Sequence, residues 1–166
     1  MTLLCIDAGN TRGKWGLHTG HELVHGVGRG AVDRWLAQDT FDYAELGRDT
    51  LRARWATADR AVIANVAGAG VAQAIQHALA GLDMPVLTVQ ARRSQCGVRN
   101  DYERPEQLGA DRWAALIGAR RLHAGACLVV SVGTATTVDV LSERGVFQKP
   151  VSGVFERGFE ERGLVR

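Results

Sequence analysis

The chain has 166 residues, 46% of them apolar and 23% charged, with a formal net charge of +2. That length suits one medium domain, or one complete domain with part of a second, and the apolar content excludes a disordered chain. Lys and Arg are interleaved with Asp and Glu rather than gathered in a basic stripe, so nucleic acid is not an expected partner.

The opening apolar run, residues 1–8, is too short for a signal peptide or a membrane span, which makes the cytoplasm the expected location and a membrane partner unexpected. Leu3-Leu4-Cys5-Ile6 reads as a strand buried on both faces, ending at Asp7. Gly9-Asn10-Thr11 is turn chemistry, and Lys14-Trp15-Gly16-Leu17-His18 returns as the second strand of a hairpin. Residues 22–27 are expected to add a third antiparallel strand. Residues 31–57 place Ala31, Trp35, Leu36, Leu46, Leu51 and Trp55 among charges, which predicts one or two amphipathic helices. Ala61-Val62-Ile63-Ala64-Asn65 predicts a buried strand. An Ala-rich helix is expected over 71–80, with Gly81 just past its end, and a strand over 86–89.

Residues 92–107 read as a polar loop, and long polar loops in compact domains are often functional. A helix is expected over 111–122 on Trp113, Ala114, Leu116, Ile117 and Ala119. Cys127-Leu128-Val129-Val130 reads as a buried strand, followed by a turn at Gly133-Thr134, a returning strand over 136–141 and the start of another at Gly145-Val146-Phe147. An apolar strand, a Gly turn and a returning strand thus occur at 3–18 and again at 127–141, and two related lobes facing each other would bring both turns to one cleft. Residues 148–166 show no clean period and read as an irregular tail. Cys5, Cys96 and Cys127 fit no zinc or disulfide spacing and are expected as reduced thiols, Cys5 and Cys127 as core packers.

Three segments carry chemistry. At Asp7-Ala8-Gly9-Asn10-Thr11 a carboxylate at a strand end can reach a cation, Gly9 lets a phosphate approach the backbone, and successive N–H groups form an anion-binding concavity. Lys14 adds positive charge. The competing reading is a plain hairpin turn, for which Gly-Asn is common. Ser131-Val132-Gly133-Thr134-Ala135-Thr136-Thr137 has small residues around a Gly, or is simply a Thr-rich strand. Asp111, in Gly109-Ala110-Asp111-Arg112, is either a first-turn carboxylate that complements the helix dipole or a base held ionised beside a cation. No Walker-type G-x-x-x-x-G-K-[ST] is present.

These three motifs follow one another in an order and spacing that resembles the type III pantothenate kinases, the family that also includes the Bordetella Bvg accessory factor. Cys96-Gly97-Val98-Arg99-Asn100-Asp101-Tyr102 is similar to that family's loop ahead of Gly-Ala-Asp-Arg, and the resemblance covers residues 3–147. It implies an α/β, actin-like ATPase or ribonuclease-H-like fold: one complete lobe over 1–121 and a truncated second lobe with an irregular tail over 122–166. It implies ATP-dependent phosphorylation of pantothenate to 4'-phosphopantothenate, the first step of coenzyme A synthesis, by a homodimer. Asp7, Ala8, Gly9, Asn10, Thr11, Arg12, Gly13 and Lys14, with Gly133 and Thr134, would line the ATP phosphates, and Asp7 would hold Mg2+ through water. Tyr102, Gly109, Ala110, Asp111 and Arg112 would hold pantothenate, with Asp111 as the general base. Many members also bind a monovalent cation, K+ or NH4+, through an Asp at the start of the second turn, where Ser131, a poorer ligand, stands here. Members continue past the position of Phe147 with a Gly-Gly, Pro-Gly segment and helices, whereas Gln148-Lys149-Pro150-Val151-Ser152-Gly153 departs from that pattern. Two other readings remain: a non-catalytic accessory protein of the same fold that binds ATP or pantothenate, and a kinase of the same fold for another small molecule.

Overall fold

The computed structural model describes residues 1–19 and 35–148. By contact the chain forms two compact units: Met1–Gln90 joined by Gly109–Asp111, and Ala91–Leu108 joined by the residues from Arg112. The described elements make an α/β protein of two five-stranded sheets with α-helices.

In the first unit, β1 (Thr2–Ala8) puts Leu4, Ile6 and Ala8 into the core, while Leu3, Cys5 and Asp7 on the other face stay half-buried. The run expected to be buried on both faces therefore has one core face: apolar continuity does not reveal how fully each face is covered. β2 (Gly13–Thr19) pairs antiparallel with β1 from Thr2↔Thr19 to Ala8↔Gly13, which leaves residues 9–12 as the turn. β3 (Trp35–Phe41) pairs antiparallel with β2. A 3-10 turn at Tyr43–Glu45 and α1 (Asp49–Trp55) follow, then β4 (Arg60–Asn65), α2 (Ala69–Leu79) and β5 (Val86–Thr88). The sheet order is β3-β2-β1-β4-β5, with β4 parallel to β1 and β5 parallel to β4.

The helices expected over 31–57 reduce to α1 within the described residues, because Trp35 and Leu36 lie in β3. Pairing with β2 overrides the helical spacing, and aromatic and Thr residues suit a strand. The strand expected at 22–27 lies outside the described residues. The core is aromatic: the Trp15 and Trp55 rings meet edge-on at 6.5 Å, and Phe41 meets Trp55 at 5.6 Å. A Cβ at Gly13 would overlap the Phe41 ring, so that glycine is what seats Phe41 over the sheet. Ile75, Ala78 and Leu79 of α2 complete this core, and Gly81, at φ +79°, ends the helix as its sequence predicts.

In the second unit, β6 (Ser94–Gln95) and β7 (Val98–Asn100) form a hairpin through Cys96 and Gly97, both at positive φ, as two-residue loops of this kind require. The polar loop expected over 92–107 thus contains two strands; their polar sequence hid them. A 3-10 turn (Pro105–Gln107) leads to α3 (Ala110–Leu122), which buries Trp113 and Leu116. β8 (Cys127–Val132), β9 (Thr136–Leu141) and β10 (Val146–Gln148) form an antiparallel meander, and β10 pairs parallel with β7. The sheet order is β6-β7-β10-β9-β8. That ladder draws residues 91–108 to the second sheet. β8, expected to be buried, is an edge strand among the described elements: Leu128 and Val130 are 63% and 57% exposed.

Candidate phosphate and acceptor sites

In the first sheet the chain leaves β1 in both directions, to β2 and β3 on one side and β4 and β5 on the other. The carboxyl end of β1 is therefore a switch point of the kind where ligands bind open α/β sheets. Residues 9–12 form the turn at that end, with Asn10, Thr11 and Arg12 exposed. Lys14 Nζ lies 3.5 Å from Asp7 Oδ2, both side chains about half exposed, which places a cation and a carboxylate beside the turn. Ala8 is buried and contributes backbone only; its carbonyl accepts the Val66 N–H at 2.9 Å.

Two residues that the sequence did not single out shape this end of the sheet. The Tyr43 hydroxyl donates to the Gly9 carbonyl, so a side chain from the turn after β3 fixes the turn at residues 9–12. Burial pushes the Tyr43 phenol upward, and the negative charge of Asp7 adds to it. Asn65, at the end of β4, accepts the Ala67 N–H at 2.9 Å and donates to the Gly68 carbonyl at 3.0 Å, which shapes the turn into α2. The signal for Asn65 was present, a strand-end Asn before Ala-Gly-Ala-Gly; for Tyr43 there was none.

Gly109–Asp111 joins this same unit. A Cβ at Gly109 would sit 2.5 Å from Asp111 Oδ1 and 3.4 Å from Val66 Cγ1. Glycine is therefore what leaves room for the Asp111 carboxylate, and Val66, beside Gly109, is tied to the carboxyl end of β1 by its N–H bond to Ala8. Ala110 opens α3 and places Asp111 in its first turn. The structure thus brings residues 7–14 and Gly109–Asp111 to one end of one sheet.

The second unit holds Tyr102, Arg112, Gly133 and Thr134. Arg112 Nε donates to Asp139 Oδ2 at 3.0 Å, and Arg112 Nη2 donates to Asp139 Oδ1. The Asp139 side chain is 1% exposed and that of Arg112 22%. The Arg112 guanidinium lies 5.7 Å from the centre of the Phe147 ring, and the Tyr102 ring lies 5.4 Å from Phe147. Hydrogen bonding to Asp139 raises the already high pKa of Arg112, with Tyr102 a smaller contributor. The loop that carries Tyr102 is tightly held: buried Asn100 accepts the Tyr102 N–H at 3.1 Å and donates to the Pro105 carbonyl at 3.1 Å, and Arg93 donates to the carbonyls of Asn100, Tyr102 and Glu103. The sequence did not single out Asp139, the one charged residue of β9.

The second turn is open. Gly133 and Thr134 are exposed, the Gly133 N–H donates to the Ala135 carbonyl at 3.2 Å, and a Cβ at Gly133 would come no nearer than 3.9 Å to that oxygen. Ser131 pairs across the ladder with Thr137, whose hydroxyl is buried without a hydrogen-bond partner. A monovalent cation at Ser131 would meet hydroxyls from that pair, a poorer donor set than one with a carboxylate. Among the described residues no three His, Cys, Asp or Glu side chains gather as a metal cage. Half-exposed Asp7 fits a Mg2+ that keeps its waters.

The family model for type III pantothenate kinase matches residues 3–151. A type III pantothenate kinase of Aromatoleum aromaticum is 47% identical over 146 residues, which cover 87% of this chain and 55% of the relative. One from Azoarcus sp. is 47% identical over 147 residues, 88% of this chain and 52% of the relative. One from Dechloromonas aromatica is 41% identical over 146 residues, 87% and 56% respectively. The chain spans about half the length of the curated relatives it matches.

Proposed function

This chain belongs to the type III pantothenate kinase family, and we propose that it carries the phosphate turn and the base of an enzyme that transfers the γ-phosphoryl group of ATP to the primary hydroxyl of pantothenate, giving 4'-phosphopantothenate for coenzyme A synthesis. The observation that carries this reading is that Gly109–Asp111 joins the first unit, with Gly109 beside Val66, whose N–H bonds the Ala8 carbonyl at the end of β1. A kinase needs a carboxylate near an anion-binding turn, and that end of the sheet supplies both.

The chemistry follows from those groups. Backbone N–H groups of residues 9–12 and the Lys14 ammonium bind phosphate oxygens, as do the small residues Gly133 and Thr134 of the second turn. Asp7 would hold Mg2+ through water, and the ion would supply charge neutralisation on the phosphates. The Asp111 carboxylate accepts the proton of the pantothenate hydroxyl as its oxygen bonds to the γ-phosphorus. The bond from that phosphorus to the bridging oxygen breaks, and ADP leaves. Little covalent work falls to the protein beyond positioning and charge balance. Tyr102 and Arg112 recognise the acceptor.

The finer fold reading, an actin-like or ribonuclease-H-like lobe followed by part of a second, is proposed with it. The recurrence of an antiparallel meander, β1-β2-β3 and then β8-β9-β10, supports that reading. A homodimer in the cytoplasm accords with the family; no described helix is long and apolar enough to cross a membrane.

The test is ATP-dependent phosphorylation by the purified chain, with pantothenate and a panel of other small alcohols as acceptors and Asp111→Asn as the control. Turnover of pantothenate that Asp111→Asn abolishes is the expected result. Binding of ATP or pantothenate without turnover would favour the accessory reading, and a preference for another alcohol would assign a different kinase.

A further inference from the structure

We infer that Asp139 is a positioning residue of the acceptor site, fixing the Arg112 guanidinium so that it can receive the acceptor's carboxylate. The inference rests on the pantothenate reading above, in which Arg112 contacts the acceptor.

The geometry carries it. Asp139 lies on β9 with its side chain 1% exposed, and it engages one edge of the guanidinium, Nε and Nη2. A carboxylate this deeply buried is a poor stabilising choice: an apolar residue of similar volume in place of a buried pair is often as stable or more so. What the pair supplies is orientation. A guanidinium gripped on one edge and laid over the Phe147 ring at 5.7 Å has lost its rotational freedom. The guanidinium also hydrogen-bonds to Tyr102, and its planar fork has the shape that bonds carboxylates in bidentate fashion.

The neighbours belong to the same arrangement. Tyr102 packs on the Phe147 ring at 5.4 Å, and its loop is clamped by Asn100 and Arg93. The carboxylate, the cation, the ring and the phenol come from β9, α3, β10 and the loop after β7. Pantothenate bears a carboxylate at one end and the reacting primary hydroxyl at the other. An arginine held still for the carboxylate therefore fixes the acceptor without touching its hydroxyl.

The experiment compares the wild-type chain with Asp139→Asn, Arg112→Gln and the double variant. It measures the Arg112 Nε–H resonance by NMR, pantothenate affinity by calorimetry, and KM and kcat for both substrates. We expect a slowly exchanging Nε–H in the wild type that Asp139→Asn loses. In that variant pantothenate KM and Kd rise roughly tenfold or more, the scale of a charge-assisted hydrogen bond, while ATP KM and kcat change far less. The double variant should bind pantothenate no worse than Arg112→Gln alone, because Asp139 acts through Arg112. Where Asp139→Asn does not fold, Asp139→Glu carries the same test: it keeps the charge, displaces the guanidinium and should still raise pantothenate KM.

Unchanged pantothenate affinity in the Asp139 variant overturns the inference, as do losses that multiply in the double variant or a parallel loss of ATP affinity and kcat. Absence of a protected Nε–H in the wild type overturns it independently of substrate. A wild-type chain that shows the protected Nε–H yet binds no pantothenate sinks the pantothenate reading, and the acceptor role of Asp139 with it. Normal wild-type binding with an indifferent Asp139 variant sinks the inference alone.

Discussion

The two β–turn–β segments read alike in sequence and are built differently. β1 and β2 lie inside their sheet, with β1 flanked by β2 and β4 and with Leu4, Ile6, Ala8, Trp15 and Leu17 buried. β8 lies at the edge of the other sheet among the described elements, and its Leu128, Val130 and Val132 are 63%, 57% and 77% exposed. The first turn is held from outside by Tyr43, and Gly109–Asp111 packs in its unit. The second unit instead holds the Arg112–Asp139 pair with Tyr102. A strand–Gly–strand pattern is thus a portable piece. What packs against it decides whether a substitution is felt as stability, as rate or as recognition.

The sharpest division between the units is chemical. Asp111→Asn should lower turnover by about a hundredfold to ten-thousandfold, the usual contribution of a general base, with ATP affinity nearly unchanged. Steady-state kinetics alongside calorimetry with ATP would check it. Parallel loss of ATP affinity would give Asp111 a structural or metal-holding role and dissolve the division. The packing contrast is tested by truncating one residue in each hairpin. Ile6→Ala, in a core position 2% exposed, should cost about 2–5 kcal/mol of unfolding free energy. Val130→Ala should cost no more than about 0.5 kcal/mol. Equal costs in urea unfolding would show that β8 is covered in solution.

Legibility followed the same contrast. Both hairpins, β4, α2 and α3 could be read from apolar runs and caps, because each is specified locally. β3 could not: Trp35 and Leu36 fit a helical stripe, and only pairing with β2 decides otherwise. β6 and β7 were hidden by polar residues whose strands exist through the ladder to β10. The exposure of β8 was invisible because an apolar run does not report what lies beside it. At the candidate sites the motif residues were legible as turn and helix-start chemistry. Their supports were not, since Tyr43 reaches Gly9 across 34 residues and Arg112 reaches Asp139 across 27.

The turn glycines give a smaller test. A Cβ at Gly13 would overlap Phe41, whereas one at Gly133 would make only ordinary contact with the Ala135 carbonyl, at 3.9 Å. Gly13→Ala should therefore destabilise by about 1–3 kcal/mol through overpacking. Gly133→Ala should stay within about 0.5 kcal/mol in thermal unfolding and act, if at all, on ATP binding. Comparable destabilisation by both would mean that the second turn is packed as closely as the first.

The smallest expected effect belongs to Tyr43, and it is the most specific to the first turn. Tyr43→Phe removes the hydroxyl that holds the Gly9 carbonyl and leaves the ring contact with Phe41, 5.9 Å between centres, in place. The cost should be about 1 kcal/mol or less, seen as a few-fold weaker ATP binding with no change at the acceptor. Titration gives a second readout. Burial, followed by the Asp7 charge, raises the folded phenol above its ordinary value. The folded state therefore holds this proton more tightly than the unfolded state does. That contribution is fully present below the unfolded value of about 10 and is lost as pH rises through the higher folded value. Wild-type stability should fall more steeply than that of Tyr43→Phe as pH climbs above about 10, measured by urea unfolding at successive pH values. Parallel pH profiles would show that the phenol is not held at the turn in solution, and the first hairpin would then lose the external brace that sets it apart from the second.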